Sequence, residues 1–584
     1  MAPSSASPLV IADFPAPDGF SERRSFSNPR EVIVAHTMAE VRPALERVAQ
    51  RAAEGCWAAG YVAYDAAPAF DAALGVAGRA PVPLVWFGIY AAPDITLRSA
   101  TAAHVLPADW QPHSDRASYA DAIDDIRQGV AAGAFYQVNH TVRLRSAWTS
   151  SALATYETLR AAQPSSYAMY LDIGRFQILT VSPELFFERT GSDIVTRPMK
   201  GTARRGRWPT EDAAAAAALS ASAKDRAENV MIVDLLRNDL GRIAEVGSVE
   251  VSELFAVERH PTLWQMTSTI SARLRAEVAL PDIFDALFPS GSVVGAPKIA
   301  AAAWIAENEG APRGVYCGAV GIVRPGGNCT FNVAIRTLVI DSERQTAEYG
   351  AGGGITADAT SAGEYDELLA NAAVLRGPPP EFDFIETMRL SEGRYIRRER
   401  HVRRVCASAS YFDFRDVEQA VERALDERAR MSPSGVHRVR LLVSRDGTVR
   451  TEATAIPPVS AGSVWRCALS SIPVSSRDIF LFHKTTHRRA YEERRAAHPG
   501  VDEVILVNER GELTECTIGN VVVELDGERV TPPLDCGLLA GIFREELLEQ
   551  GRIAERVLYP SDLAAGTGVW LVNSLREWVP LTLV

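Results

Sequence analysis

The sequence predicts an α/β (α+β) protein made of two successive domains. Its 584 residues exceed the roughly 250–300 residues at which a single hydrophobic core stops growing. Strand-like and helical patterns are mixed along the whole length. They are interrupted at Gly377–Pro380, where three consecutive prolines cannot continue a helix and favour an extended connector.

The domain boundaries follow from this connector. Residues 1–19 begin with a stretch rich in Ser, Ala and Pro and are expected to be loose. Residues 20–376 form the first predicted domain, 377–381 the proline-rich linker and 382–584 the second predicted domain.

Hydrophobic patterns predict elements of both kinds in each domain. Strands are expected at Phe176–Val181 and Phe331–Ile340 before the linker, and at Val436–Val443 and Glu503–Val507 after it. The alanine run Ala213–Ala218 favours a helix.

Composition excludes several classes of protein. The net charge is −12, and no dense basic block other than Arg397–Arg404 exists, so no nucleic-acid partner is expected. No run of about 18 apolar residues and no charged leader followed by an apolar segment occurs, so we expect no membrane span and a cytoplasmic location. The seven cysteines form no CxxC pair, which argues against a disulfide framework or structural zinc.

Two predicted helices carry acidic pairs. In Lys224–Ile243 the apolar residues recur at helical spacing, and Glu228 belongs to an acidic pair near the start. In Gly363–Leu375, Glu364 and Glu367 lie three residues apart on one face. Brought together, these carboxylates would suit magnesium. On spacing alone, however, such pairs are more often solvated faces.

Two glycine-dense segments, Phe288–Lys298 and Tyr349–Ile355, could expose backbone amides to an anion. Neither has the spacing of a P-loop. Each segment alone is equally compatible with a tight packing turn.

The order of these segments resembles the chorismate-utilising enzymes, a family that includes anthranilate synthase, isochorismate synthase and aminodeoxychorismate synthase component I. The resemblance covers roughly residues 20–376 and implies an α/β sandwich with magnesium-bound chorismate between its layers. The motifs that carry it are SPELFF (182–187), RPMKGT (197–202), ENVMIVDLLRNDLGR (228–242), FPSGSVVGAPK (288–298), RGVYCGAVG (313–321), FNVAIRT (331–337), YGAGGGI (349–355) and EYDE (364–367).

This resemblance implies roles for individual residues. Glu228 and Glu367 would hold Mg2+, with Glu364 acting through water, and Glu184 would protonate the departing C4 hydroxyl. Carboxylates of the substrate would be bound by Tyr316, Arg336, Gly352, Gly353 and Gly354.

Lys200 distinguishes members of the family. Its PMKGT context resembles the signature of aminodeoxychorismate synthases, in which a neutral lysine amine attacks C2 and ammonia then enters at C4. A surface lysine in a loop is the alternative. Gln137 agrees with amination, because hydrating relatives have a lysine there.

Two positions depart from the family pattern. Gln265 replaces a histidine linked to pyruvate elimination in anthranilate formation, and Asn371 replaces a lysine that pairs with substrate carboxylate. The chain also shows no glutaminase motif, since Cys317 is predicted to lie in a buried strand. Ammonia would therefore come free or from a separate glutaminase subunit.

The second domain resembles class IV pyridoxal-phosphate enzymes over about residues 382–584. Lys484 would bind the cofactor covalently and Glu515 would pair with its ring nitrogen. Its phosphate would be bound by Arg404, by amides near Gly541–Ile542 and by Ser574. The motifs that carry this resemblance are RHVRRV (400–405), HKTTHRRAY (483–491), GELTECTIGNV (511–521), CGLLAGIFRE (536–545) and VNSLREWVP (572–580).

These motifs do not separate a lyase from an aminotransferase. The fusion favours aminodeoxychorismate lyase, because its substrate is what the first domain would make, and the chain would then produce 4-aminobenzoate, as in folate synthesis. Two rivals stay open: an anthranilate synthase-like domain fused to a branched-chain or D-amino-acid aminotransferase, and a second domain that is a non-catalytic binding module. Class IV enzymes are commonly dimers, so a homodimer is possible.

Overall fold

The computed structural model describes residues 7–15, 21–96, 106–107, 109–164, 167–456 and 464–584. The chain divides into two compact units. The first contains Met1–Arg204 and Ala216–Pro379, and the second contains Arg205–Ala215 and Pro380–Val584. The division thus falls within the predicted linker, but the second unit also includes eleven residues from the predicted first domain, which the sequence did not reveal.

In the first unit, helices and strands are mixed along the chain. One helix, α4, begins within the segment assigned to the second unit. The elements are β1 Leu9–Pro15, β2 Ser21–Ser27, β3 Glu31–Ala35, α1 Met38–Ala53, β4 Trp57–Val62, β5 Val85–Tyr90, β6 Gln111–Pro112, α2 Arg116–Ala131, β7 Gln137–Ala147, α3 Ala152–Ala162, β8 Tyr167–Asp172, β9 Phe176–Ser182, β10 Leu185–Thr190, β11 Asp193–Arg197, β12 Met199–Arg204, α4 Pro209–Ala221, α5 Ala223–Gly241, β13 Glu250–Arg259, β14 Leu263–Arg273, α6 Leu280–Leu287, β15 Gly295–Ala296, α7 Lys298–Asn308, β16 Ala319–Val323, β17 Cys329–Val333, β18 Thr337–Asp341, β19 Thr346–Ile355 and α8 Ser361–Asn371.

These strands form two sheets that pack as a sandwich. One sheet has the order β15-β7-β19-β18-β9-β8-β1-β2, and the other has the order β12-β14-β11-β10-β17-β16-β4-β5-β3. A buried cluster joins the facing surfaces, with Phe26 and Ile178 from the first sheet and Tyr61 and Val320 from the second. A larger cluster packs helices against the outer faces. The site of interest therefore rests on a rigid sheet framework.

The expectation of a loose N-terminus is wrong for Leu9–Pro15. This segment is strand β1, which pairs with β2 on one side and β8 on the other. Val10 and Ile11 are fully buried, so the packing of this apolar run stabilises the strand. Residues 1–6 and 16–19 of the same prediction lie outside the described part of the chain.

The prediction of a single strand at Phe331–Ile340 is also wrong. The segment forms two strands, β17 and β18, which belong to different sheets. The break contains Arg336, whose φ of 49° lies in the left-handed region that a non-glycine residue seldom adopts. The chain crosses here from one layer of the sandwich to the other.

The two predicted acidic helices form close to their expected positions. Helix α5 is capped by Ser222, whose hydroxyl accepts a hydrogen bond from the Asp225 amide, and it buries Ile232 and Leu236. Helix α8 is capped in the same way by Thr360.

The second unit has two sheets with helices against them. A four-stranded sheet has the order β21-β20-β22-β23, and an eight-stranded sheet has the order β26-β25-β24-β31-β30-β27-β28-β29. The elements are β20 Phe384–Ser391, β21 Arg394–Tyr395, α9 Arg398–Tyr411, α10 Glu418–Met431, β22 Val436–Val443, β23 Val449–Ala455, β24 Trp465–Leu469, α11 Arg489–Ala496, β25 Glu503–Val507, β26 Leu513–Cys516, β27 Asn520–Leu525, β28 Glu528–Thr531, α12 Ile542–Glu549, β29 Ala554–Glu555, α13 Pro560–Ala565, β30 Gly568–Asn573 and β31 Glu577–Leu583.

The segment Arg205–Ala215 is tied into this second unit by specific contacts. The Trp208 ring lies 5.0 Å from that of Phe482, and the hydroxyl of Tyr411 donates to the Gly206 carbonyl. His483, next to Lys484 in sequence, bonds through Nε2 to the Arg207 carbonyl. Among the described residues, no helix combines the length and apolar character that crossing a membrane requires.

Candidate active sites

A cavity of about 360 Å³ in the first unit collects the residues predicted for that domain. Strands β12 and β19, helices α5 and α8, and the turn between β17 and β18 all contribute to its wall. The predicted residues that line it are Glu184, Lys200, Glu228, Tyr316, Arg336, Gly352, Gly353, Gly354, Glu364 and Glu367.

The glutamates of α5 and α8 lie in a setting that favours a cation. Burial raises the pKa of Glu228 and Glu367, and burial together with the charge of Glu367 raises that of Glu364 to about 7. One carboxyl oxygen of Glu364 is buried without a hydrogen-bond partner. A Cβ at Gly353 would lie 3.1 Å from a Glu367 oxygen and 3.6 Å from a Glu364 oxygen, so the two carboxyls flank one glycine.

These carboxylates fit Mg2+ by their chemistry and burial, because a divalent cation prefers oxygen ligands and would offset the crowded negative charge. In the described part of the chain, no group of three His, Cys, Asp or Glu side chains is arranged to hold a metal ion as it stands. The fit therefore rests on the donor set and on the partnerless oxygen of Glu364.

Lys200 is half-buried on β12 with its amine in this cavity. A Cβ at Gly354 would lie 2.9 Å from its Nζ and 1.7 Å from Nε2 of Gln137, so glycine leaves room for both side chains. Gln137 is buried, and neither polar atom of its side chain has a hydrogen-bond partner. A buried side-chain amide without partners, next to a lysine, is expected at a site where a polar ligand supplies the missing hydrogen bonds.

Glu184 is a buried carboxyl at the start of β10. Burial raises its pKa to about 7, although a hydrogen bond from Ser292 and the charge of Lys200 act in the opposite direction. A carboxyl in this state carries its proton near neutral pH and can donate it.

Arg336 and Tyr316 line the same cavity. Nη1 of Arg336 donates to Oε1 of Gln163 at 2.5 Å, and burial lowers the pKa of its guanidinium. No acidic side chain forms an ion pair with it among the described residues, so its charge is available to an anion. Tyr316 is buried under the guanidinium of Arg143, which lies 5.3 Å from its ring.

The glycine run Gly352–Gly354 belongs to strand β19 rather than to a turn. It pairs with Thr141, His140 and Asn139 of β7, whereas the pairing of β19 with β18 ends at Tyr349. Beyond that point the described strand pairings leave one edge of β19 facing the cavity, where its backbone groups can meet an anion.

A second cavity, of about 430 Å³, lies within the second unit and collects the remaining predicted residues. The predicted residues that line it are Arg404, Lys484, Glu515, Ile542 and Ser574. Burial and the charge of Arg404 lower the pKa of Lys484 to about 8. Near physiological pH, an appreciable fraction of the molecules therefore carries this amine in its neutral form.

Glu515 is a buried carboxyl that lines this cavity. Its pKa is raised to about 7 by burial, while it accepts hydrogen bonds from the hydroxyl of Tyr491 at 2.7 Å and the amide of Leu539 at 3.1 Å. Nδ2 of Asn520 approaches its other oxygen at 3.3 Å. A buried carboxyl held in one orientation in this way suits a cationic partner.

The predicted phosphate-binding groups line the same cavity. Arg404 makes a bidentate pair with Glu386, which also bonds His401, and Nε2 of His401 bonds the hydroxyl of Ser574 at 2.9 Å. Helix α12 begins at Ile542, and its free amides face an anion favourably. A Cβ at the preceding residue, Gly541, would lie 2.0 Å from Oδ1 of Asn520, so only glycine fits. This donor set fits pyridoxal phosphate.

Family models match both units. Residues 15–377 match the model described as chorismate binding enzyme. The chain belongs to the chorismate-binding enzyme family. Residues 383–584 match the model of class IV aminotransferases, so this family member carries a class IV domain after its chorismate-binding domain.

Curated relatives match part of this chorismate-binding enzyme. Aminodeoxychorismate synthase component 1 of Escherichia coli (strain K12) is 39% identical over 264 residues, which are 45% of this chain and 58% of that protein. Aminodeoxychorismate synthase of Streptomyces griseus is 43% identical over 263 residues, 45% of this chain and 36% of that protein. The chain thus matches between 36% and 58% of the length of these two relatives.

A solved structure supports the fold of the chorismate-binding enzyme. Anthranilate synthase component I from Streptococcus pneumoniae TIGR4 aligns with a TM-score of 0.52 and 25% identity, over 64% of this chain and 93% of that chain. The predicted α/β class and both predicted family resemblances are confirmed.

The two residues that depart from the family pattern, Gln265 and Asn371, each donate a hydrogen bond to a backbone carbonyl in this chorismate-binding enzyme. Nε2 of Gln265 donates to the Gly201 carbonyl at 2.8 Å, beside Lys200. Nδ2 of Asn371 donates to the Gly352 carbonyl at 3.0 Å. The prediction of a strand at Cys317 is wrong, since the buried cysteine lies in a turn with a φ of 64°.

Several residues at the two cavities of the chorismate-binding enzyme were missed by sequence reasoning. They contact predicted residues that are distant in the sequence. Gln163 accepts a hydrogen bond from Arg336, and Glu386 accepts one from Arg404. Nothing in their local sequence marks them. Lys224, whose charge acts to lower the pKa of both Glu228 and Glu367, begins the predicted helix Lys224–Ile243 but looks like a solvated lysine there.

Proposed function

We propose that this enzyme converts chorismate and ammonia to 4-amino-4-deoxychorismate in the first unit, and that the second unit then releases pyruvate to leave 4-aminobenzoate. The observation that carries the first step is the cavity itself. It combines two lysines, a buried carboxyl with a pKa of about 7, four further carboxyls and an arginine free of ion pairs among the described residues.

Chorismate is a dianion, and the cavity offers groups suited to each of its two carboxylates. Mg2+ bound by Glu228 and Glu367, with Glu364 acting through water, would anchor the ring carboxylate. Arg336, Tyr316 and the amides of Gly352–Gly354 would receive the other. The orientation of Arg336 by Gln163 supports this assignment, since a guanidinium fixed in place loses less entropy on binding.

Amination requires one nucleophile and one acid. The amine of Lys200 attacks C2 of the ring, the double bond shifts and the C4 hydroxyl leaves as water with a proton from Glu184. Ammonia then attacks C4 and expels Lys200 from C2, and the proton that the new amine loses returns to Glu184. The balance is chorismate plus ammonia to 4-amino-4-deoxychorismate plus water. Ammonia is supplied free or by a separate glutaminase subunit, as the name component 1 of the relatives suggests.

In the second unit, pyridoxal phosphate, when bound, supplies an electron-withdrawing ring. Lys484 would hold it covalently and Glu515 would keep its ring nitrogen protonated. Arg404, Ser574 and the amide of Ile542 would bind the phosphate. Lys484 would also carry the proton away from C4 of the substrate. The net change is 4-amino-4-deoxychorismate to 4-aminobenzoate plus pyruvate.

The test is incubation with chorismate, Mg2+ and ammonium, with and without pyridoxal phosphate, followed by identification of the products. We expect 4-aminobenzoate and pyruvate with the cofactor, and 4-amino-4-deoxychorismate without it. Formation of 2-aminobenzoate would replace the first assignment by anthranilate synthesis. Absence of the visible absorbance of lysine-bound cofactor would make the second unit a non-catalytic module.

A further inference from the structure

The cavity of the second unit has a strongly basic wall that cofactor binding does not explain. Six basic side chains line the cavity, against the single acidic side chain of Glu515. Of the six, Lys484 and Arg404 serve the cofactor in the proposed function, and Arg488 donates to the Thr517 carbonyl. Three remain: Arg438, Arg440 and Arg576, which we call the arginine cluster.

Strand β22 presents two members of this cluster on one face. Val439 and Leu441 are buried, and Arg438 and Arg440 alternate with them along the strand and line the cavity. Two residues along a strand span about 6.6 Å. The two guanidinium groups can therefore receive two separate anionic groups.

Like charges are adjacent at this wall. Arg438 lies directly opposite Arg389 of β20 in the antiparallel register, an arrangement that is unfavourable without a counter-ion. Arg576, in the turn between β30 and β31, is close enough that the charge of Arg438, added to burial, lowers its pKa. Within the described residues, no carboxylate forms an ion pair with any member of the cluster, although Glu452 lies opposite Arg440 in the strand register and the charge of Glu503 partly offsets the lowering of the pKa of Arg576.

Resting on the proposed function, we infer that the arginine cluster selects a primary amine bearing two carboxylates as substrate of the second unit. One carboxylate binds between Arg438 and Arg576, and the second binds Arg440. The amine is then held towards Lys484 at the opposite side of the cavity. An apolar amino acid with a single carboxylate would leave part of this charge unpaired, so branched-chain amino acids are poor substrates.

The test uses the full-length protein loaded with pyridoxal phosphate. Benzene-1,3-dicarboxylate and benzoate are titrated while the absorbance of the bound cofactor is followed, so that only this cavity is observed. We expect the dicarboxylate to bind at least tenfold more tightly, since each charge-assisted contact contributes about a tenfold change or more. Arg438→Ala and Arg440→Ala should each remove most of this preference, and Arg438→Lys should keep part of it.

Arg423→Ala is the matched control, because Arg423 is an exposed arginine of α10 outside the cavity. It should leave both affinities unchanged. Equal affinity for the two acids would overturn the inference. So would arginine variants that keep the preference but change the oligomeric mass, since the cluster would then bind a second copy of the chain.

Supplied 4-amino-4-deoxychorismate separates this inference from the proposed function. If the dicarboxylate preference is present but the compound is not converted, the inference about the arginine cluster holds and the lyase assignment fails. If the compound is converted with the same KM by wild type and Arg438→Ala, the lyase assignment stands and the cluster inference fails.

Discussion

Replacing Glu184 with glutamine tests the acid that the proposed amination requires. Because burial raises the pKa of Glu184 from 4.5 to about 7, about half of these carboxyls are protonated at pH 7. At the ordinary value, about one in 300 would be. The difference corresponds to about 3 kcal/mol in favour of the acid form. The side chain is fully buried, so solvent does not screen this effect away.

The assay is the initial rate of chorismate loss from about pH 6 to about pH 9, with saturating Mg2+ and a constant concentration of free ammonia. Wild-type activity should fall as pH rises through about 7, because Glu184 then loses its proton. Glu184→Gln should lower the rate by about a hundredfold to ten-thousandfold and abolish this decline. Ser292→Ala removes a hydrogen bond that lowers the pKa of Glu184, so the decline should move to higher pH.

Glu188→Gln is the control, since Glu188 lies outside the cavity on β10, the strand that begins directly after Glu184, and accepts a hydrogen bond from Thr330. It should keep the wild-type rate and profile. If Glu184→Gln retains either the wild-type rate or the decline near pH 7, another group is the acid and the reasoning is wrong.

Three further variants test the remaining parts of the proposal. Lys200→Ala should lower amination by about a thousandfold or more while supplied 4-amino-4-deoxychorismate is still converted; an unchanged synthase rate excludes Lys200 as nucleophile. Lys484→Ala should abolish the cofactor's visible absorbance and let 4-amino-4-deoxychorismate accumulate; normal 4-aminobenzoate formation would rule out the lyase role. Glu367→Gln should raise the Mg2+ concentration needed for half-maximal rate by about tenfold or more, and an unaltered metal requirement would remove it as a ligand.

The residues proposed for chemistry could be located from sequence because their motifs preserve residue type and order together. Lys200, Lys484 and Glu515 would each be unremarkable in composition or periodicity, and only the surrounding motifs single them out. The same information located α5 and α8 well, because apolar spacing and capping residues are local signals.

What the sequence left unresolved depends on long-range contacts. The break at Arg336 is invisible to strand propensity, since the surrounding residues are good strand formers and the turn is imposed by the crossing between sheets. The orientation of Arg336 by Gln163 joins positions 173 residues apart. Likewise, Leu9–Pro15 becomes a strand only because two neighbours cover its edges.

The membership of Arg205–Ala215 in the second unit bears on how the protein can be dissected. A fragment starting after the prolines would retain every motif of the class IV family yet lose the indole that covers Phe482 and the carbonyl that bonds His483. Those two residues immediately precede Lys484 in the chain. Truncation at the boundary that sequence homology indicates would therefore remove contacts that hold the loop carrying Lys484. A stable fragment of the second unit would have to include Arg205–Ala215.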